Sequence, residues 1–202
     1  QCLQPPAPPA NPDSGNGGWT HSGTNDEWEW GSATYAYTCH NASTGCWATD
    51  LDNTYSSGCN QFLYSVGVAV PSGTGTVYVE WWQAYITESG YDYAEAAYTC
   101  NGGANWHTLF SASGNVGWTM QTQPAGNCAT GNTIQLRYRL SSDGSVEYDG
   151  YLIDDVRLWS GGVDAEPANS ARPAPALQVA PLLDHAAQRL AAAHTALGLT
   201  SY

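Results

Sequence analysis

The segment 148–159 constrains the fold of this chain more than any other, because it is typical of a β-strand. At the strand period of two, Leu152, Asp154, Val156 and Leu158 share one face, and all but Asp154 are aliphatic. We therefore predict that this face is buried. A buried aspartate requires a cation or several hydrogen-bond donors, because an unpaired ionised carboxylate in a dry interior is very costly.

Two explanations for Asp154 stay open. The chain has no lysine and only 5 basic residues, so a protein cation is scarce. A bound calcium ion is the preferred prediction, since calcium favours sites built entirely from oxygen ligands. The alternative is a structural aspartate whose oxygens accept hydrogen bonds from the backbone N–H groups of a loop.

Composition and alternation predict an all-β chain. Nine Trp and thirteen Tyr accompany only two Phe and one Met, and helix-forming residues are scarce before residue 175. Thr76–Ile86 is apolar on both faces, and in Thr133–Leu140 alternate residues are apolar. We predict a jelly-roll β-sandwich of about eight antiparallel strands.

Both ends of the chain differ from this body. The first residues are too proline-rich for a helix or a central strand and favour an extended arm; the candidate assembly prolines are Pro5, Pro6, Pro8 and Pro9. Near the other end, an apolar face recurs at helical spacing after an Ala/Pro-rich stretch. The predicted organisation is an arm (1–18), a sandwich (19–160), a linker (161–180) and a short C-terminal amphipathic helix (181–198).

The cysteines and the charge indicate a secreted protein. Six cysteines without a CxxC pair favour three disulfides formed in an oxidising compartment, although six cysteines allow 15 pairings. We expect the pairs Cys100–Cys128, Cys39–Cys46 and Cys2–Cys59. A first residue that is not Met fits removal of a signal peptide, and no apolar run has the ~20 residues that a membrane span needs. The net charge of −13 argues against nucleic acid as a partner.

Five short motifs occur in one order along the chain: Trp28–Gly31, Cys46–Asp52, Cys100–Gly103, Leu136–Arg139 and Gly150–Val156. This series resembles the MAM-like, concanavalin-like jelly-roll modules found beside secreted bacterial metallopeptidases of the immune-inhibitor-A type. The resemblance covers residues 19–159. It does not cover the proline-rich arm or the helical tail.

The resemblance implies a calcium-stabilised sandwich without a catalytic role. In similar jelly rolls, an acidic residue of the first strand, oxygens of the following loop and an aspartate of the last strand hold the ion. The matching positions here are Glu29, Asp50 or Asp52, and Asp154. Asp154 is also the residue that the alternation of the last strand indicates.

The sequence contains no His-Glu-x-x-His, Gly-x-Ser-x-Gly or glycine-rich phosphate motif. Carboxylate pairs such as Glu147 and Asp149 suit glycoside hydrolysis, but in a chain with 18 acidic residues such pairs arise by chance. We therefore predict that the protein is not an enzyme. Asn41 begins a glycosylation sequon, which is relevant only in a host that glycosylates.

Two functions remain to be compared. The first is an extracellular structural subunit that self-assembles into a filament or surface fibre through its arm and tail. The alternative is a carbohydrate- or protein-binding accessory module of a secreted bacterial enzyme. Sugars stack on exposed aromatic rings, and the candidates are Trp81, Trp82, Trp106 and Trp118, although most such rings fill the core of a sandwich.

Overall fold

The described residues form eleven β-strands. A computed structural model describes residues 15–70, 75–126, 128 and 131–161. The strands are β1 (Thr20–Thr24), β2 (Trp28–Gly31), β3 (Cys46–Thr49), β4 (Asn60–Tyr64), β5 (Val68–Ala69), β6 (Thr76–Ile86), β7 (Tyr93–Thr99), β8 (His107–Ala112), β9 (Asn115–Pro124), β10 (Thr133–Ser141) and β11 (Gly150–Gly161).

The strands form two antiparallel sheets. The first sheet has the order β1-β4-β10-β7-β8, with β5 also paired to β10, and the second has the order β2-β3-β11-β6-β9. The predicted all-β sandwich is confirmed, but the strand count of about eight is too low. Irregular residues divide segments that the sequence suggests are continuous: Phe62–Val70, for example, contains the end of β4 and the separate strand β5.

The inner faces of the two sheets enclose an aromatic core. Trp28, Trp81, Tyr138 and Tyr151 are each at most 1% exposed. The ring of Tyr138 lies edge-on to Trp81 and to Tyr151, with centroid separations of 6.0 and 6.3 Å. Burial of one such side chain contributes roughly 2–3 kcal/mol, so this cluster is a main source of stability.

A β-bulge in β11 corrects the predicted face of Asp154. The register against β6 shifts between Asp154 and Arg157, and Asp155 has a left-handed backbone with φ of 49°. After the bulge, Val156 and Leu158 point into the core between the sheets, whereas Leu152 packs in a smaller cluster. The four residues predicted to share one face are therefore divided between two faces.

The smaller cluster lies on the other face of the second sheet. It joins Ala33 and Cys39, which precede β3, to Cys46 and Ala48 of β3 and to Leu152 of β11. Asp154 follows Leu152 by two residues and so lies on this same outer side of the sheet. The segment before β3 covers Asp154 on this outer side of the second sheet.

Two of the expected disulfides are present. Cys39 is bonded to Cys46, and Cys100 is bonded to Cys128. Cys59 is buried and forms no disulfide with a described residue, and Cys2 lies outside the described residues. The third expected pair, Cys2–Cys59, therefore stays a prediction.

The described residues belong to the first of two compact units, Gln1–Val163. The assembly prolines and the predicted helix at 181–198 lie outside the described residues. In the part of the chain that the structure describes, no helix has the length and apolar character needed to cross a membrane.

Candidate functional site

Protein donors surround the carboxylate of Asp154. Its Oδ2 accepts hydrogen bonds from the backbone N–H of His40 at 3.1 Å and from the hydroxyl of Ser43 at 2.7 Å. Its Oδ1 accepts from the backbone N–H of Asp155 at 2.8 Å. Both oxygens of this fully buried group are thus engaged, an arrangement that fits the alternative explanation of a structural aspartate.

Cys39 and Cys46 lie close enough to Asp154 to form a metal-ligating group by distance alone. These two cysteines are bonded to each other, however, so neither offers the thiolate that a metal ion requires. Of these three residues, Asp154 is therefore the one that still offers a ligand atom, its carboxylate.

The structure does not gather the four predicted calcium ligands. Glu29 is exposed and pairs with Ala48 in the middle of β3, and Asp50 directly follows that strand. Because β11 runs antiparallel to β3, Asp154 lies toward the opposite end, roughly 13 Å from Asp50 along the strand. Asp50 instead accepts hydrogen bonds from the backbone N–H groups of Asp52 and Asn53, at 3.1 and 2.9 Å.

Three other carboxylates lie together, and sequence reasoning missed them. Oxygens of Glu88, Asp92 and Asp143 lie within 4.8 Å of one another; we call this group the acidic cluster. Asp92 is fully buried and accepts hydrogen bonds from the hydroxyl of Tyr55 and the backbone N–H of Asp143. Two loops far apart in sequence supply these residues, so no local spacing reveals the group.

Glu88 is the member of the acidic cluster with an unsatisfied oxygen. Its Oε2 is buried and has no hydrogen-bond partner among the described residues. Desolvation, followed by the charges of Asp143 and Asp92, raises the pKa of Glu88. Three carboxylate oxygens that lie within 4.8 Å of one another fit a divalent cation that prefers oxygen ligands.

The outer face of the first sheet carries a second group of candidate functional side chains. Phe62 and Tyr64 of β4 alternate with the core residue Leu63, and Arg137 and Arg139 of β10 alternate with the core residue Tyr138. The strand register places Arg137 opposite Tyr64, and Arg139 opposite Phe62. With Trp106, which directly precedes β8, these four residues form what we call the arginine–aromatic face, and all five are half-buried.

The rings of the arginine–aromatic face enclose a guanidinium group. The Cζ atom of Arg137 lies 4.4 Å from the ring centroid of Trp106 and 5.2 Å from that of Phe62. Tyr64 connects the two rings, at centroid separations of 5.9 Å from Trp106 and 6.1 Å from Phe62. Cation–π attraction and stacking therefore fix the position of this side chain.

The two arginines differ in their polar partners. Arg139 forms an ion pair with Glu95 and donates from Nε to Asn60 Oδ1 at 2.7 Å. The Nε of Arg137 is buried and has no hydrogen-bond partner among the described residues. Burial lowers the pKa of Arg137, as expected for a cation that has lost part of its hydration.

A depression lies beside these arginines. Ala97 of β7 is opposite Arg137 in the sheet, and its methyl group leaves a gap that larger neighbours border. Glu95, Thr108, Arg137 and Arg139 line the gap together with Ala96 and Ala97. The face thus combines aromatic rings, hydrogen-bond donors and a recess.

The other candidate tryptophans have different positions. Trp81 is fully buried, and its Nε1 donates to Gln83 Oε1 at 2.8 Å, so it belongs to the core. Trp82 and Trp118 are half-buried on the second sheet, where His40 stacks on Trp82 at 3.9 Å. Trp118 donates from Nε1 to the carbonyl oxygen of Thr38 at 2.9 Å, so both rings hold the segment before β3.

An open groove beside β1 and β2 contains Glu29. Trp30 and Trp47 form part of its walls, and Asp26 and His21 lie at its side with an ion-pair distance of 2.8 Å. Trp47 is only 3% exposed and Trp30 is half-buried, and Glu27 and Glu29 add negative charge to the groove. The described residues that line this groove include no arginine, whereas the arginine–aromatic face has two.

Glu147 and Asp149, the carboxylate pair considered for glycoside hydrolysis, accept hydrogen bonds from different parts of the chain. Glu147 is exposed and accepts from the backbone N–H of Ser57 at 2.9 Å, whereas Asp149 is buried and accepts from that of Ala36 at 3.1 Å. Burial raises the pKa of Asp149. Asn41 is exposed in a short 3-10 turn, and its glycosylation stays a prediction.

No family model matches the chain. Over 143 residues the chain is 28% identical to bacillopeptidase F of Bacillus subtilis (strain 168), across 70% of this chain and 10% of that protein. The chain thus spans about a tenth of the length of this curated relative. Among solved structures, it is similar to TmCBM61 in complex with β-1,4-galactotriose, with a TM-score of 0.54 and 14% identity over 78% of this chain and 99% of that one.

Two further solved structures are more distant. The K1 cleaved adhesin domain of Lys-gingipain from Porphyromonas gingivalis W83 has a TM-score of 0.46 and 15% identity, over 71% of this chain and 91% of that one. The CBM22-1 xylan-binding domain of Paenibacillus barcinonensis Xyn10C has a TM-score of 0.45 and 10% identity, over 78% of this chain and 97% of that one.

The likeness to TmCBM61 shows that the chain has the same jelly-roll β-sandwich fold as that protein. The partial match to bacillopeptidase F adds a peptidase relative. Together they confirm the predicted resemblance to jelly-roll modules found beside secreted peptidases.

Proposed function

We propose that this chain is a non-catalytic accessory module of a secreted bacterial enzyme, and that it binds carbohydrate through the arginine–aromatic face. One observation carries the proposal: the rings of Trp106 and Phe62 lie against the guanidinium of Arg137, whose Nε has no partner among the described residues, beside an open depression. The apolar face of a sugar ring stacks on aromatic side chains, and its hydroxyl oxygens accept hydrogen bonds from arginine. TmCBM61, which shares the fold, was solved with β-1,4-galactotriose.

The similarities support a binding module more than a self-assembling subunit. The carbohydrate-binding module TmCBM61 aligns along 99% of its length, and the curated relative is a peptidase. The disulfides Cys39–Cys46 and Cys100–Cys128 fit an oxidising compartment and hence secretion.

The test is isothermal titration of the full chain with a panel of oligosaccharides that includes β-1,4-galactotriose. We expect Trp106→Ala to weaken binding at least about tenfold, because it removes the ring on which the sugar stacks. The matched control is Trp159→Ala, which removes a half-buried indole from the second sheet, where it stacks on Tyr78 at 4.4 Å. Equal losses in the two variants, or no binding by the unmodified chain, would overturn the proposal.

We also propose that the sandwich binds one calcium ion, and that the acidic cluster of Glu88, Asp92 and Asp143 holds it. The unsatisfied Oε2 of Glu88 and the close approach of the three carboxylates support this location. Such a cation offsets the repulsion between the carboxylates and joins two loops of the sandwich. Glu29, Asp50, Asp52 and Asp154 lack this arrangement in the described structure.

A further inference from the structure

The distribution of cations on this chain is uneven. The protein has a net charge of −13 and only five basic residues, all of them arginine. Three of these arginines lie in the described residues, and Arg137 and Arg139 project from alternate positions of one strand on the same face. Two like charges separated by roughly 7 Å repel each other, and a nearby anion offsets this repulsion.

Glu95 forms an ion pair with Arg139, whereas it acts on Arg137 only through attraction over a longer distance. Arg139 and Glu95 form an ion pair, and no described carboxylate lies within ion-pair distance of Arg137. Arg137 therefore has a positive charge without a paired anion in the described structure. It lies at the edge of the depression, where a ligand has access to it.

The rings on either side of Arg137 hold its guanidinium in a position that suits a planar anion. Stacking between Trp106 and Phe62 fixes the guanidinium before a ligand arrives, so binding requires little further loss of side-chain freedom. The N–H groups lie along the edge of the guanidinium plane, and a carboxylate accepts two of them in parallel. A neutral sugar has no group that matches both this geometry and this charge.

We propose that the ligand of the arginine–aromatic face is an acidic glycan, and that Arg137 binds the carboxylate of a uronic acid residue. This inference rests on the proposed function and specifies its substrate class. The sugar ring lies on Trp106, and its carboxylate receives two hydrogen bonds from Arg137. Thr108, which lines the same depression, is placed to contact a neighbouring hydroxyl.

The experiment titrates the full chain with three sets of oligosaccharides: uronic acid oligomers, including the trimer of galacturonic acid; the same oligomers as methyl esters; and neutral oligomers, including β-1,4-galactotriose. We expect the acids to bind at least tenfold more tightly than their esters, since esterification removes the charge and leaves the sugar. Arg137→Gln abolishes this preference by lowering affinity for the acids about tenfold to a hundredfold. Arg137→Lys, which keeps the charge without the planar fork, gives an intermediate loss.

The matched control is Arg157→Gln, which removes the same charge from the second sheet, where Arg157 is 62% exposed and pairs with Glu80. It leaves all affinities unchanged, and thermal melting verifies that each variant is folded. If the chain binds neutral oligomers and esters as tightly as the acids, the inference is wrong and the proposed function stands. If it binds none of the three sets, both are wrong.

Discussion

Asp154 and Glu88 are acidic side chains in opposite situations. Each oxygen of Asp154 accepts a hydrogen bond from a protein donor, whereas Oε2 of Glu88 is buried with no partner among the described residues. The sequence indicates that Asp154 needs a compensating group, and the structure supplies donors from the segment before β3. Donor geometry of this kind depends on tertiary contacts, so residue periodicity does not reveal it.

The calcium proposal predicts a specific effect of Glu88→Gln. At a calcium concentration about one hundred times the Kd, the ion adds about 2.7 kcal/mol to the stability of the unmodified chain. For a domain of this size, that corresponds to a rise in Tm of roughly 5–10 °C. Glu88→Gln removes a ligand and abolishes this rise, and without calcium it does not lower Tm, because it relieves repulsion within the acidic cluster. Thermal melting with calcium and with a chelator measures both effects.

Asp154→Asn is the contrasting variant. It replaces one accepting oxygen with an NH2 group that opposes protein donors, which costs about 1–3 kcal/mol whether or not calcium is present. The calcium-dependent rise in Tm remains. The assignment of the ion to the acidic cluster is contradicted if Asp154→Asn abolishes the rise and Glu88→Gln preserves it.

Among the elements of the sandwich, β11 shows where periodicity fails. Its sequence alternates well enough to predict a strand, and the strand is present at Gly150–Gly161. The bulge at Asp155 changes which residues face the core, so Val156 and Leu158 do not share a side with Leu152. The left-handed backbone of Asp155 does not change the alternation of residue types in the sequence. The side of the sheet on which each β11 side chain lies therefore became clear only from the structure.

The bulge predicts an inverted ranking of glycine and alanine at position 155. In an ordinary strand, a protein with glycine at a given position is less stable than one with alanine, because glycine loses more conformational freedom on folding. Asp155 has φ of 49°, a conformation that costs about 1–2 kcal/mol for residues with a Cβ. Asp155→Gly should therefore be about 1 kcal/mol more stable than Asp155→Ala. Both variants lose the contact between the Asp155 carboxylate and His40 Nδ1, so their difference isolates the backbone.

Arg157 provides the control for this comparison in urea unfolding. It lies in the same strand beyond the bulge, pairs with Glu80, and is absent from the residues with positive φ. At position 157, Arg157→Ala should have a larger free energy of unfolding than Arg157→Gly. An alanine advantage at both positions is incompatible with a left-handed Asp155.

For the whole molecule, composition and alternation were sufficient to predict the class of fold. The scarcity of helix formers and the alternating segments predicted an all-β sandwich, and both sheets are antiparallel. Two disulfide pairs were also predicted correctly. These features arise from local pattern and from the small number of cysteines.

The arginine–aromatic face and the acidic cluster were harder to predict because several separate elements build them. Trp106 was a candidate, but its neighbours Phe62 and Arg137 come from strands far apart in sequence. Because apolar residues alternate in Thr133–Leu140, the sequence predicts that Arg137 and Arg139, which lie between them, face away from the core. Nothing in the sequence indicated that aromatic rings meet them there.

Binding of carbohydrate to the arginine–aromatic face can be followed at individual tryptophan side chains. The most direct measurement follows the indole N–H signals of the 15N-labelled full chain by NMR during addition of the oligosaccharide panel. Trp106 lies on this face, whereas Trp82 and Trp118 lie on the second sheet and Trp30 lies in the groove beside β2. Assignment of the signals by single Trp→Phe variants makes the measurement specific for each face.

We predict that the signal of Trp106 shifts in a saturable manner, while those of Trp30, Trp82 and Trp118 stay in place. Saturable shifts confined to Trp82 and Trp118, or to Trp30, would move the site to another surface and contradict the account. No shift of any indole across the whole panel would contradict the carbohydrate-binding function itself.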